Sequence, residues 1–317
     1  MLSSRNRTIG FIITSTEFSL NIFASLLSFV VLIILLYNIY RKKIRRKDRT
    51  SIKLCANIYF TIFVYSCLLI SSNIQTILGD IYEKDFHSSL CIISGYLMIL
   101  VIYILYMTFI NQALYRLMRI VYYQKAWVEK LWLQVLLIVV EFILGCILLT
   151  PLIPWNAVVY LEYDHFCYAS FTNLLGILWG AFVGYIVPFS ILFMIYIFIT
   201  KYLHNHRANL AMVILLQQNR DFIVIQRILV IVCLLLILGI PGMIMILLYI
   251  ISGKENVLTV RISFFPVSVS VSGLTISLIF TIPQLKIIAM KFYRRNRIAT
   301  VASTIPNQQR IATSGNS

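Results

Sequence analysis

Residues 17–47 read EFSLNIFASLLSFVVLIILLYNIYRKKIRRK. Twenty-four predominantly apolar residues run straight into a segment in which six of seven side chains are basic. A helix of about 20 apolar residues crosses a hydrocarbon core ~30 Å thick, and a basic flank is held on the cytoplasmic side. Six more stretches have the same character, at 52–79, 88–115, 131–152, 173–200, 223–251 and 259–282. Twenty-two of the 27 Lys and Arg residues follow the odd-numbered stretches; the other five are Arg5, Arg7, Lys84, Lys254 and Arg261. That asymmetry predicts a multi-span membrane protein with its N-terminus outside.

A chain that is 60% hydrophobic carries too few polar residues to cover a soluble globule, so lipid is its solvent. The net charge of +16 sits mostly in 41–53 and 286–297, beside helix ends. There it sets orientation and attracts anionic inner-leaflet lipid, so nucleic acid is not the expected partner. Residues 1–16 lack a signal-peptide pattern, and the first span serves as its own insertion signal. Asn6-Arg7-Thr8 is a glycosylation sequon, usable only outside the cytoplasm. Four cysteines, Cys55, Cys67, Cys146 and Cys233, lie inside spans. Cys91 opens the third span and Cys167 precedes the fifth, both on the oxidising side, where a disulfide is allowed and two unpaired thiols are the alternative.

The organisation expected is an all-α membrane protein: a seven-transmembrane helix bundle with a short amphipathic eighth helix. Residues 1–16 form an extracellular tail, 17–297 the membrane domain, and 298–317 a polar cytoplasmic tail of disordered composition. No internal repeat is apparent, which counts against inverted-repeat transporters. After Pro283, Leu285, Ile288, Ala289 and Phe292 recur at helical spacing among Lys and Arg residues, the pattern of a helix lying on the inner face.

Seven spans, an exterior N-terminus, the Cys91 and Cys167 pair and the inner-surface helix together resemble the rhodopsin-like G-protein-coupled receptors. In that family an Arg within an acid-Arg-aromatic triplet follows the third-span Cys by 25 positions; here that position is Arg116, in Tyr115-Arg116-Leu117. Pro188 with Tyr196 resembles the fifth-span pattern, Leu238-Gly239-Ile240-Pro241 the sixth, and Ile282-Pro283-Gln284-Leu285-Lys286 stands for Asn-Pro-x-x-Tyr. Asp221 lies where many members carry the acid that pairs with the third-span Arg. The departures are Tyr115 for the acid, Gly239 for the Trp, Ile282 and Lys286 for the Asn and Tyr, and a second span, 52–79, without Asp or Glu. The last removes the family's sodium site and marks a divergent, orphan-like branch.

The resemblance implies an inner switch of Arg116, Asp221 and Tyr196, whose rupture opens a cleft for a heterotrimeric G protein. A partly solvated pair of this kind is worth ~1 kcal/mol, enough to bias a population without locking it. Pro188, Pro241 and Pro283 are the helix-kink positions, each removing a backbone donor. Glu141 stands mid-span in an apolar fourth helix, where an ionised carboxylate costs at least ~2.5 kcal/mol. It is read either as a protonated acid bonded to a neighbouring helix or as a ligand or proton-linked group.

The ligand pocket that the resemblance implies opens outward, with Met98, Ile102, Gly180, Gly184, Met243 and Ser272 on its wall. Its roof carries Tyr160, Glu162, Tyr163, Asp164 and His165. Met98 stands where amine receptors carry Asp, and no mid-span Lys exists for retinal, so neither ligand fits. A peptide or small organic molecule is the expected class. No metal, nucleotide or nucleophile motif stands out, which leaves no cofactor or enzyme reading. Ser303, Thr304, Thr313 and Ser314 offer phosphorylation sites for an arrestin. The rival reading is a multi-span transporter or channel subunit, for which Glu141 is the one mid-membrane ionisable group identified.

Overall fold

The computed structural model describes residues 4–41, 46–121, 131–206, 233–234, 236–237, 239–240, 242–252 and 258–281. In chain order the elements are α1 (Ser4–Tyr40), α2 (Arg46–Tyr82), α3 (Ser89–Val121), α4 (Leu131–Leu149), a hairpin of β1 (Val158–Leu161) and β2 (Phe166–Ala169), α5 (Leu174–Ala181) and α6 (Val187–His206). Two more helices follow, α7 (Gly242–Ser252) and α8 (Thr259–Thr281). A π turn, Phe182–Ile186, joins α5 to α6 as one span.

Among the described residues five helices are long and apolar enough to cross a membrane: Arg7–Tyr40, Thr50–Tyr82, Ser89–Met118, Leu174–Tyr202 and Thr259–Phe280. Leu136–Leu152 and α7 are apolar but shorter. The burial pattern is that of a helical membrane protein. On α1 the buried face is Asn21, Ala24, Ser28, Val31 and Leu35, at alternating three- and four-residue spacing, with Ala24 and Ser28 at 0% exposure. The opposite face presents Phe23, Leu26, Phe29 and Ile33, with Leu26 61% exposed. Small and polar groups face inward and large apolar ones outward, because lipid rewards the second and close helix approach needs the first.

α3 sits at the centre, against α2, α4, α6 and both strands, while α1 packs along α2 and α8. Gly145 brings α4 onto α3; a Cβ there would lie 2.8 Å from the Tyr103 ring. The π turn has a local cause. Pro188 has no N–H to give and its ring crowds the carbonyl four residues back, at Gly184, so the turn before it widens. α8 likewise carries Pro266 in its interior, a kink position that the sequence reading passed over.

One expectation needs correction. α1 starts at Ser4, inside the segment read as a polar tail, because Gly10 lies against Arg261 of α8 and Arg7 bonds the Asp80 carbonyl at the end of α2. The fold is helical as expected, with one short hairpin added before α5. Val158-Val159-Tyr160-Leu161 and Phe166-Cys167-Tyr168-Ala169 pair antiparallel, with Tyr160 opposite Cys167. β-branched and aromatic residues favour this pairing, but four-residue strands give little periodic signal. The amphipathic segment after Pro283 lies outside the described residues, as do Asp221, Pro241 and Pro283.

Candidate functional site: a cavity beneath the hairpin

The hairpin closes one end of the bundle because three features seat it there. Cys91 at the start of α3 is disulfide-bonded to Cys167 of β2. Gly95, one turn further along α3, admits the strand: a Cβ there would lie 2.5 Å from the Cys167 carbonyl oxygen. Gly79 of α2 does the same for the hairpin turn, where a Cβ would lie 2.1 Å from Cγ of His165. His165 itself takes φ 59°, the left-handed conformation that closes the four-residue turn.

An ion cluster ties this turn to the helices. Arg261 of α8 donates from Nη1 and Nη2 to the two carboxylate oxygens of Asp80 at 2.6 and 3.0 Å. Its Nε donates to Asp164 of the turn at 3.0 Å, and Nη2 also donates to the Tyr163 carbonyl at 2.8 Å. Thr76 of α2 donates to the Asp164 carbonyl at 2.7 Å. Nearby Glu17 of α1 is buried, with Oε1 lacking a hydrogen-bond partner among the described residues. Three acids thus share one buried base, Arg261. The sequence reading placed Asp164 on a roof that contacts ligand; in the structure it is buried and bonded to Arg261.

His165 lies 3.9 Å from Asp80 and accepts or donates at Nδ1 to the Tyr160 hydroxyl at 3.4 Å. Burial pulls its imidazole below the ordinary value, reinforced by Arg261 and Arg7 and opposed by Asp80 and Asp85. Burial pushes the Tyr168 phenol of β2 up to about 12, so it is a neutral hydroxyl at physiological pH.

Beneath the hairpin is a cavity of about 160 Å³, partly open, bounded by α2, α3, the π-turn span, α7 and α8. Tyr65, Ile102, Tyr168, Phe171, Ile177 and Phe264 form much of its wall, and no charged side chain lines it among the described residues. Gly180, Gly184 and Gly242 open it, since a Cβ at any of them would meet nothing within 4 Å. Of the six wall residues expected, Ile102, Gly180, Gly184 and Met243 line this cavity. Met98 and Ser272 do not: Met98 is packed in the core, and Ser272 donates to the Leu20 carbonyl of α1.

Toward the opposite end, Arg116 of α3 lies within electrostatic reach of Cys55 on α2 and of buried Tyr196 on α6. Asp221, the expected third member, is outside the described residues. Glu141 of α4 is buried and faces Asn111 of α3, within interaction range but without hydrogen-bond geometry at the amide. Asn6 falls in the first turn of α1, on the same end as the hairpin, as Arg7 and Asp80 show. Glu17 and Asp80, like the pairing of Arg261, went unnoticed in the sequence; a lone acid in an apolar run was the signal for Glu17, as it was for Glu141. No protein-family model and no curated protein matches this chain.

Proposed function

We propose that the chain is a seven-helix receptor of the rhodopsin-like kind, which binds an extracellular ligand and activates a heterotrimeric G protein. One observation carries the reading. The cavity under the hairpin and the Arg116 junction near the other end are built on the same helices: α3 supplies Ile102 and Arg116, and the α5 to α6 span supplies Gly184 and Tyr196. A ligand that fits one packing of those helices better than another shifts the equilibrium at both ends, which is what transmembrane signalling requires. The π turn ahead of Pro188 forms part of the cavity wall through Gly184 and Tyr185, on the same span that carries Tyr196, and is a place where a small register change costs little.

In this reading the hairpin end faces outside, the N-terminus is extracellular at the plasma membrane, and the amphipathic segment after Pro283 is the eighth helix. The test is guanine-nucleotide exchange on a panel of G proteins in membranes that carry the full chain. Exchange above empty membranes, lowered by Arg116→Ala and raised by Asp221→Asn, is the expected result. Exchange that both variants leave unchanged sinks the proposed switch. A transporter is the second reading, favoured by the intramembrane acids Glu17 and Glu141; solute-dependent currents or uptake lost in Glu141→Gln would establish it instead.

A further inference from the structure

The cavity constrains the ligand by size, charge and hydrogen bonding. This step rests on taking the cavity as the receptor's ligand site. Its volume of about 160 Å³ is close to that of an engineered apolar cavity of ~150 Å³ that takes up benzene. A molecule of roughly benzene size fits within it.

No charged residue lines it among the described residues, and Asp80 and Asp164 at the hairpin are both held by Arg261. A charged ligand would therefore be buried without a counter-ion, which is costly. The space itself exists because Gly180, Gly184 and Gly242 lack side chains.

The hydrogen-bonding inventory is short. Two of the polar groups on the wall are satisfied: Tyr185 donates to the Leu236 carbonyl at 3.1 Å and Ser263 to the Thr259 carbonyl at 2.8 Å. The Tyr65 phenol, 3% exposed, and the Tyr168 phenol lie near each other on the wall, and neither hydroxyl has a hydrogen-bond partner among the described residues. Two hydroxyls on the wall without a protein partner are groups to which a ligand oxygen can bond.

We propose that the cavity takes a small neutral organic molecule, apolar over most of its surface, whose single alcohol or carbonyl oxygen is held by Tyr65 and Tyr168. The experiment uses the full chain in lipid nanodiscs, with empty nanodiscs subtracted, and four probes of one size: benzyl alcohol, toluene, benzylammonium and benzoate. Saturable binding by ligand-detected NMR is expected for benzyl alcohol, about tenfold weaker for toluene, and undetectable for the two ions. Tyr65→Phe and Tyr168→Phe should erase the preference for the alcohol while leaving toluene binding intact, an outcome that simple misfolding does not give. Gly180→Leu should fill the space and remove both. Binding of either ion as tight as the alcohol overturns the proposal, as does alcohol binding that Gly180→Leu leaves unchanged. Because binding is read without a G protein, the two readings separate. Saturable alcohol binding with no nucleotide exchange keeps the ligand class and removes the receptor. Exchange with none of the four probes bound does the reverse.

Discussion

Arg261 is the residue on which the hairpin end depends most. Its guanidinium serves two carboxylates and a carbonyl on α2 and the turn, so the fork geometry matters as well as the charge. Arg261→Met takes the guanidinium away from both Asp80 and Asp164, and the expected loss is about 3–5 kcal/mol in thermal unfolding of the purified protein. Glu17→Gln, by contrast, removes the acid that Arg261 does not bond and should hold or raise the melting temperature. Equal losses in the two variants would show that the excess of acids is balanced in another way. His165 gives a pH dependence with a definite sign. Its folded-state value is depressed, so the unfolded chain takes the proton more readily. The stability it contributes is present above the ordinary value of about 6.5 and is lost as pH falls below it. The groups facing it are Asp80, Asp85, Arg7, Arg261 and the Tyr160 hydroxyl. Between about pH 7.5 and 5.5 the wild type should lose more stability than His165→Asn, which keeps a residue suited to φ 59°. Parallel pH profiles would remove His165 from the account. Little of this was legible in the sequence. Arg261 and Asp80 are 181 positions apart and Arg261 and Asp164 are 97, and no local pattern links residues that meet only when helices pack.

At the level of elements, the five spanning helices of the described residues were legible and the hairpin was not. Long apolar runs announce spans, and Pro188 announced an irregular turn whose form, a π turn, only the packing shows. The start of α1 was missed because Ser, Thr and Arg between residues 4 and 16 look like a tail until Arg7 is seen to bond α2 and Gly10 to lie on Arg261. The strands were missed because four residues cannot display a period. Their position is fixed by Cys91–Cys167 and by the two glycines that admit them. Gly79→Ala should therefore act on the hairpin although it lies in α2, where Ala is ordinarily the better helix former. A Cβ at 2.1 Å from the His165 ring forces the turn away, and with it Asp164 from Arg261. The expected outcome is a lower melting temperature and faster amide hydrogen exchange in residues 158–169, with exchange in the buried part of α3 unchanged. An unaltered hairpin in Gly79→Ala would mean that the turn yields without losing its bonds.

On the scale of the whole molecule, three features that are independent in the sequence converge on one end of the bundle. The sequon at Asn6 sits in the first turn of α1, the disulfide joins the start of α3 to β2, and the end of α2 bonds both Arg7 and the hairpin turn through Asp80 and Thr76. The basic segment 41–53 follows the other end of α1. A glycan and a disulfide both require the exported side, whereas a basic flank marks the cytoplasmic one. The proposed orientation satisfies all three markers: the sequon, the paired cysteines and the basic flank. The ligand cavity was legible only in part, since Gly180 and Gly184 announce space but Met98 and Ser272 turn elsewhere once α3 and α8 are packed. The orientation has a direct test in cells that express the full chain. Digestion with an N-glycosidase should lower the apparent mass of the wild type and leave Asn6→Gln unchanged. In the same intact cells a membrane-impermeant maleimide should label Cys91 or Cys167 only after reduction. Each reporter reads the hairpin end by different chemistry, so agreement between them fixes that end outside. A chain without glycan whose hairpin cysteines resist the impermeant reagent even after reduction, yet react once the membrane is opened, would turn the bundle over. The Arg116 junction would then face outward and the receptor reading would fall with it.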